Sequence, residues 1–217
     1  MGLTRQCLEV LREYRNPVVI ITKNALVTRD VDILAEMASQ GLAAVCVSRP
    51  TVDAELSRQL EPRTSQPARR LAAVRTLSSH GIPVVALLAP VIPGLTDHEI
   101  PRIIEQAAAA GAAFAGHVAL RLTHAVAPLF TAWLQEHRPL AADKVLGRVR
   151  QMRGGRLYDS RFGSRMRGSG PFAELIDQLF AGACRRYGLQ VAKPGLRTDL
   201  FRPPADADDP HQLLLFS

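Results

Sequence analysis

Four apolar runs stand out against the polar positions of this chain: Val18–Thr22, Leu42–Val47, Val84–Ala89 and Ala113–Leu122. They are too short for long helices, and they lack the strict apolar–polar alternation of a strand with one wet face. Such runs predict parallel strands covered on both faces. Between them the apolar positions recur at helical spacing. Leu3, Cys7, Val10, Leu11 and Tyr14 mark a helix over 3–15, which Asn16-Pro17 stops. Ile33, Leu34, Met37 and Ala38 mark the next, with Thr28 or Asp30 as its N-cap and Gly41 as its end. A short helix over 53–60 and a longer one over 68–79 follow, the second with Leu71, Val74 and Leu77 inward and Gly81 at its end. Ile100, Ile103, Ile104 and Ala107 mark a helix over 97–110, capped by Thr96 or Asp97 and closed by Gly111. Strand and helix thus alternate four times at a spacing of about 30–35 residues, which specifies right-handed parallel βα units.

Past residue 125 the rhythm changes. Val126, Leu129, Phe130, Trp133 and Leu134 share one face of a helix over 126–137, and further helices are predicted over 140–152 and 171–187. A glycine-punctuated loop joins the last two. The predicted organisation is a set of βα units over 1–125, a helical extension over 126–190 and an extended tail over 191–217, whose Leu213–Phe216 end could tuck onto the surface. The fold class is α/β. Four βα units are fewer than a closed barrel needs, and the pattern opens on a helix with no strand before it. Two explanations stay open: a small open sheet, or a sequence without its amino-terminal part. Either leaves Val18–Thr22 as an edge prone to self-association.

Composition narrows the class. With 217 residues, 47% hydrophobic and 22% charged, the chain reads as a soluble globular protein. No apolar run is long enough to cross a membrane, and the charged N-terminus has no signal-peptide pattern, so a cytoplasmic location is expected. The three cysteines, Cys7, Cys46 and Cys184, are far apart, with no CxxC spacing to build a zinc or iron–sulfur site from neighbours. Reduced, mostly buried thiols are expected. The net charge is +7, and much of it is local: Arg148, Arg150, Arg153, Arg156, Arg161, Arg165 and Arg167 face a single acid, Asp159, over that stretch. A focus of this kind points to phosphate or nucleic acid, or else to a solvated basic face.

The candidate chemistry gathers at the ends of the predicted strands, where α/β proteins place their ligands. Thr22 and Lys23 end the first run; a lysine there suits a carboxylate or phosphate, or is simply solvated. Ser48 ends the second, as a ligand-binding or a turn hydroxyl. The third ends in Ala89-Pro90-Val91-Ile92-Pro93-Gly94, a loop that could shape a pocket or be a plain turn. Arg121 and Leu122 end the fourth. His98, His117 and His124 are not spaced for a metal on one element and read as surface or core polar groups.

Taken together, ITKN at 21–24, VS at 47–48, LEPR at 60–63 with Arg70-Leu71, APVIPGLTDHEI at 89–100 and RQMRGGRLYDSRFGSRMRGSGP at 150–171 resemble radical SAM proteins, most closely the spore photoproduct lyase-like group. The resemblance runs from about residue 3 to 189. It implies a partial (βα)6 TIM-type barrel, S-adenosylmethionine, and a [4Fe–4S] cluster held by a CxxxCxxC loop after the first strand. That motif is absent here. The resemblance therefore makes Val18–Thr22 the third barrel strand and this sequence the carboxy-terminal part of such an enzyme, inactive alone and unable to bind the cluster. It assigns Thr22, Lys23, Ser48, Pro90, Val91, Ile92, Arg121 and Leu122 to the cofactor. A DNA-repair-like substrate would meet Arg153, Arg156, Arg161, Arg165 and Arg167 by phosphate pairing, with Tyr158 and Phe162 stacking on a base. The competing expectation is a non-catalytic basic α/β module that binds nucleic acid.

Overall fold

The structure, a computed structural model, describes residues 2–203. Strands β1 (Val18–Thr22), β2 (Ala43–Ser48), β3 (Val84–Val91) and β4 (Phe114–Ala119) lie side by side in chain order, and every neighbouring pair is parallel. Helices α1 (Leu3–Glu13), α2 (Val31–Ser39), α3 (Ala54–Leu60), α4 (Pro67–Ser79) and α5 (Ile100–Ala109) supply the crossovers and flank. Helices α6 (Val126–His137), α7 (Pro139–Gln151) and α8 (Pro171–Tyr187) follow. The predicted α/β class and its four parallel units are present, and the arrangement is that of a partial barrel.

The period of two along each strand sorts its side chains between two faces. Val45, Val47, Val84, Ala86 and Leu88 turn towards the helices and meet Ile33, Leu34, Met37, Leu77, Ile104 and Phe180 in the main core. The opposite face is the hollow side of the sheet. There Ile21, Cys46, Val85 and Phe114 form one row and Ser48, Leu87 and Gly116 the next. Val19 and Ile21 on this side are 44% and 67% exposed, so the sheet curves around open space at β1.

A second cluster sits over the carboxyl ends of β3 and β4. Ile92, Leu120 and Leu122 pack against Phe130 and Leu134 of α6 and Val145 and Val149 of α7. The helical extension therefore caps the loops that leave the sheet.

Three local readings are corrected. The helix predicted from residue 97 starts at Ile100, behind a single 3-10 turn over Asp97–Glu99. Its two candidate caps serve the loop instead: Thr96 Oγ accepts from Ile92 N (2.9 Å), and the Asp97 carboxylate accepts from Gly94 N (2.9 Å). Asp30 stands at the N-cap position of α2, but its side chain makes no capping bond, and Thr28 lies further back. A 3-10 segment over Ala25–Asp30 precedes the helix, and buried Asp30 is held by Arg29. The fourth strand ends at Ala119, before Leu122, because Leu122 turns into the second cluster.

The stretch after α8 does more than trail away. Gln190 forms a parallel bridge with Phe114, on the free side of β4. Arg197 N then donates to Gly41 O (2.9 Å), and Arg202 N to Tyr14 O (2.8 Å), so the chain crosses the amino ends of the strands. The expectation for Leu213–Phe216 lies outside the described residues.

His117 of β4 is buried between the sheet and α8, its ring centroid 4.5 Å from that of Phe180 and its Nε2 2.9 Å from Asp177 Oδ1. Burial holds its pKa below the ordinary 6.5, with Arg167 acting in the same sense and Asp177 opposing. The unfolded chain thus binds the proton more readily than the folded one. This contribution to stability is complete above about pH 6.5 and is lost as the pH falls below that. Thermal unfolding across pH 5–8 is expected to show the fall, and His117→Phe to flatten it. An unchanged profile in the variant would assign the dependence to other groups.

Candidate functional site

At the carboxyl end of the sheet the strand ends surround a hollow of about 400 Å³. Thr22 and Lys23 from β1, Ser48 from β2, Leu87, Ala89 and Pro90 from β3, and Leu120 and Arg121 after β4 all line it. Lys23 and Ser48 open onto the same space.

The mouth is braced by a largely buried network that the sequence reading did not assemble. Arg70, in the first turn of α4, is 1% exposed. Its guanidinium donates to the Ser48 carbonyl (2.9 Å), to Glu61 Oε2 (2.7 Å), to the Ser65 carbonyl (2.6 Å) and to Thr64 Oγ. The other Glu61 oxygen accepts from Lys23 Nζ. A chain of charge-assisted bonds thus runs Lys23–Glu61–Arg70–Ser48 and ties the ends of β1 and β2 to the α3–α4 connection. The signal available in the sequence was the acid at 61 followed by an arginine on the inner face of the next helix.

The polar groups of the hollow keep binding capacity. An ammonium has three donors, and Glu61 takes one from Lys23. Ser48 Oγ donates to Ala89 O (2.9 Å), which leaves its oxygen as an acceptor. Arg49, next along, turns away into the helix layer, where burial lowers its pKa to about 10.

Of the residues assigned to a cofactor from sequence, Thr22, Lys23, Ser48, Pro90 and Arg121 meet at the hollow. Val91, Ile92 and Leu122 do not. Val91 belongs to the main core, and Ile92 and Leu122 to the second cluster, where the connections after β3 and β4 turn these side chains under α6 and α7.

The arginine-rich segment borders the same mouth. Ala119 N donates to Met166 O (2.8 Å), which lays the loop along β4. Arg153 is 3% exposed; it donates to Ser164 O (2.9 Å) and Leu120 O (3.1 Å) and works as an internal strut. Arg161 grips Asp159 through Nε and Nη2, and this pair lowers the Asp159 pKa to about 2. Arg167 lies 3.5 Å from Asp177. Arg156 is exposed and, with Tyr158 and His124, borders an open hollow of about 730 Å³. Phe162 projects at 88% exposure, with the Arg165 guanidinium 4.3 Å from its ring centroid. The loop is thus part strut and part exposed basic–aromatic surface.

Comparison with known proteins agrees with this geometry. Residues 3–107 match the family model of the radical SAM superfamily. An uncharacterized protein of Mycobacterium tuberculosis is 35% identical over 125 residues, which cover 57% of this chain and 37% of that protein. An uncharacterized protein of Methanocaldococcus jannaschii is 32% identical over 97 residues, covering 45% of this chain and 36% of that one. A spore photoproduct lyase mutant superposes with a TM-score of 0.59 at 17% identity, over 88% of this chain and 55% of that structure. Residues 3–107 are thus similar to the radical SAM superfamily, and the chain shares the fold of spore photoproduct lyase. It spans well under half the length of the curated relatives it matches.

The family uses S-adenosylmethionine and a [4Fe–4S] cluster. The hollow suits the first: an apolar wall at Leu87, Ala89 and Pro90 beside an ammonium and a hydroxyl. The second does not fit these residues. Cys7 is exposed on α1, Cys46 is buried in β2, and Cys184 is buried in α8, where desolvation pushes its thiol up to about 11. Among the described residues no three metal-ligating side chains converge.

Proposed function

We propose that these residues form the S-adenosylmethionine-binding wall of a radical SAM enzyme of the spore photoproduct lyase type, acting on nucleic acid. The observation that carries the reading is the shared hollow at the carboxyl ends of four parallel strands, with Lys23 and Ser48 both open to it. Lys23 would pair with the amino-acid carboxylate, and Ser48 would accept from ribose or from the ammonium. Leu87, Ala89 and Pro90 would pack on the adenine, with Arg121 at its rim. The exposed Arg156 and Phe162, with half-buried Arg165 and Tyr158, give a substrate phosphate and base partners of the right chemistry. On these residues alone no radical forms, since the electron needs a cluster whose cysteine ligands they do not supply.

S-adenosylmethionine titrated calorimetrically into the 217-residue chain is expected to bind, and Lys23→Glu to weaken it by about 10–100-fold, the worth of one charge-assisted bond. No heat from the parent chain, or equal affinity in the variant, would overturn the assignment.

A further inference from the structure

Beyond β1, on the side of the mouth away from the arginine-rich loop, lies a second basic hollow of about 570 Å³. The turn after β1 supplies Thr28 and Arg29, and the α3–α4 connection supplies Arg63, Thr64 and Ser65, with Arg69 from the first turn of α4. No carboxylate is among its lining residues. Arg29 is held by Asp30 (Nη2–Oδ2 2.9 Å). The ion pairs next door run Lys23–Glu61–Arg70 and leave exposed Arg63 and Arg69 out.

The placement runs against helix electrostatics. First turns favour acids, because their free N–H groups carry partial positive charge. The first turn of α4 has no acid, no side-chain cap and two arginines instead. Arg70 has its place in the buried network, but among the described residues Arg69 has no partner that offsets the repulsion. A bound anion would do so, and the hydroxyls of Thr28 and Thr64 sit around the same space.

On the reading that this protein acts on nucleic acid, we infer that the Arg29–Arg63–Arg69 hollow binds a backbone phosphate of that strand. The strand then crosses the mouth and meets the arginine-rich loop on the other side. Three strand spacings separate β1 from β4, about 14 Å. At the stacked-strand rise of about 3.4 Å per phosphate, a crossing of that width corresponds to about four nucleotide steps, and to fewer in an extended strand.

The test is binding of a labelled 12-nucleotide single-stranded DNA, followed by fluorescence anisotropy over a salt series. The chains compared are the parent, R63Q/R69Q, and the charge-matched R75Q/R102Q, whose two arginines are exposed on α4 and α5. R63Q/R69Q is expected to lose about fivefold or more in affinity, and about 0.7 in the log–log salt slope, the share of one phosphate contact on a single strand. R75Q/R102Q is expected to match the parent. Equal behaviour of the two double variants overturns the site. Inorganic pyrophosphate in a thermal-shift assay separates the two levels of the argument. If the DNA binds no chain but pyrophosphate stabilises the parent and not R63Q/R69Q, the anion site stands and the nucleic-acid reading falls. If pyrophosphate also fails to discriminate them, the site falls too.

Discussion

Arg70→Met is expected to lower the stability of the chain by about 3–5 kcal/mol, the usual cost of removing one partner from a buried ion pair. At an m-value of about 2–3 kcal/mol/M this is a drop of about 1–2 M in the urea midpoint. The loss is large because the guanidinium satisfies four acceptors at once: the carbonyls of Ser48 and Ser65, Thr64 Oγ and Glu61. Methionine fills most of the volume and satisfies none of them. Glu61, 9% exposed, would keep only Lys23 as counter-ion. Arg70→Lys is expected to recover only part of the loss, because an ammonium cannot reproduce the planar fork. Since the network also fixes Lys23 and the end of β2, S-adenosylmethionine binding should weaken in Arg70→Met even below the unfolding transition. A midpoint within about 0.3 M of the parent would show that the mouth does not depend on this hub.

The second large effect separates two arginines only three positions apart. Arg153→Met is expected to cost about 2–3 kcal/mol, since it orphans the Leu120 and Ser164 carbonyls that a buried charged donor now satisfies. The loop should then part from β4, and limited trypsin digestion should cut after Arg156 or Arg161 well before the parent is cut. Arg156→Ala, at an exposed position, should leave the unfolding midpoint within about 0.5 kcal/mol of the parent and lower only the salt-dependent affinity for DNA. If both variants behave alike in stability, Arg153 is no strut. If Arg156→Ala binds DNA as the parent does, the exposed part of the loop is not the contact surface.

The family resemblance and the βα rhythm were readable because each rests on local chemistry. Val84–Ala89 is apolar at every position, as a strand covered on both sides allows; Val18–Thr22 reads the same way, but β1 lies at the sheet edge and leaves Val19 and Ile21 44% and 67% exposed. Lys23, Ser48 and Pro90 each sit at or just past the carboxyl end of a strand, so a parallel arrangement by itself brings them to one end of the sheet. The misplaced residues show where that logic stops. Val91 ends its strand, and Ile92 and Leu122 follow theirs, yet their side chains leave the mouth: Val91 turns into the main core, and α6 and α7 offer Ile92 and Leu122 an apolar surface on the far side of the loop. Arg153 and Arg156 look alike in a basic run, but one is 3% exposed and the other faces solvent.

The sequence by itself determined the strands, the helices, their parallel order and the chemistry available at the strand ends. These follow from hydrophobic period, turn residues and the handedness of βα units, all of which act over a few residues at a time. Only the tertiary structure decided which arginines are struts and which are free, that Glu61 and Arg70 brace the mouth, and that Gln190 returns beside β4. Those outcomes depend on desolvation and pairing between residues far apart in the chain. A guanidinium becomes structural only where the fold has already brought unpaired carbonyls to it.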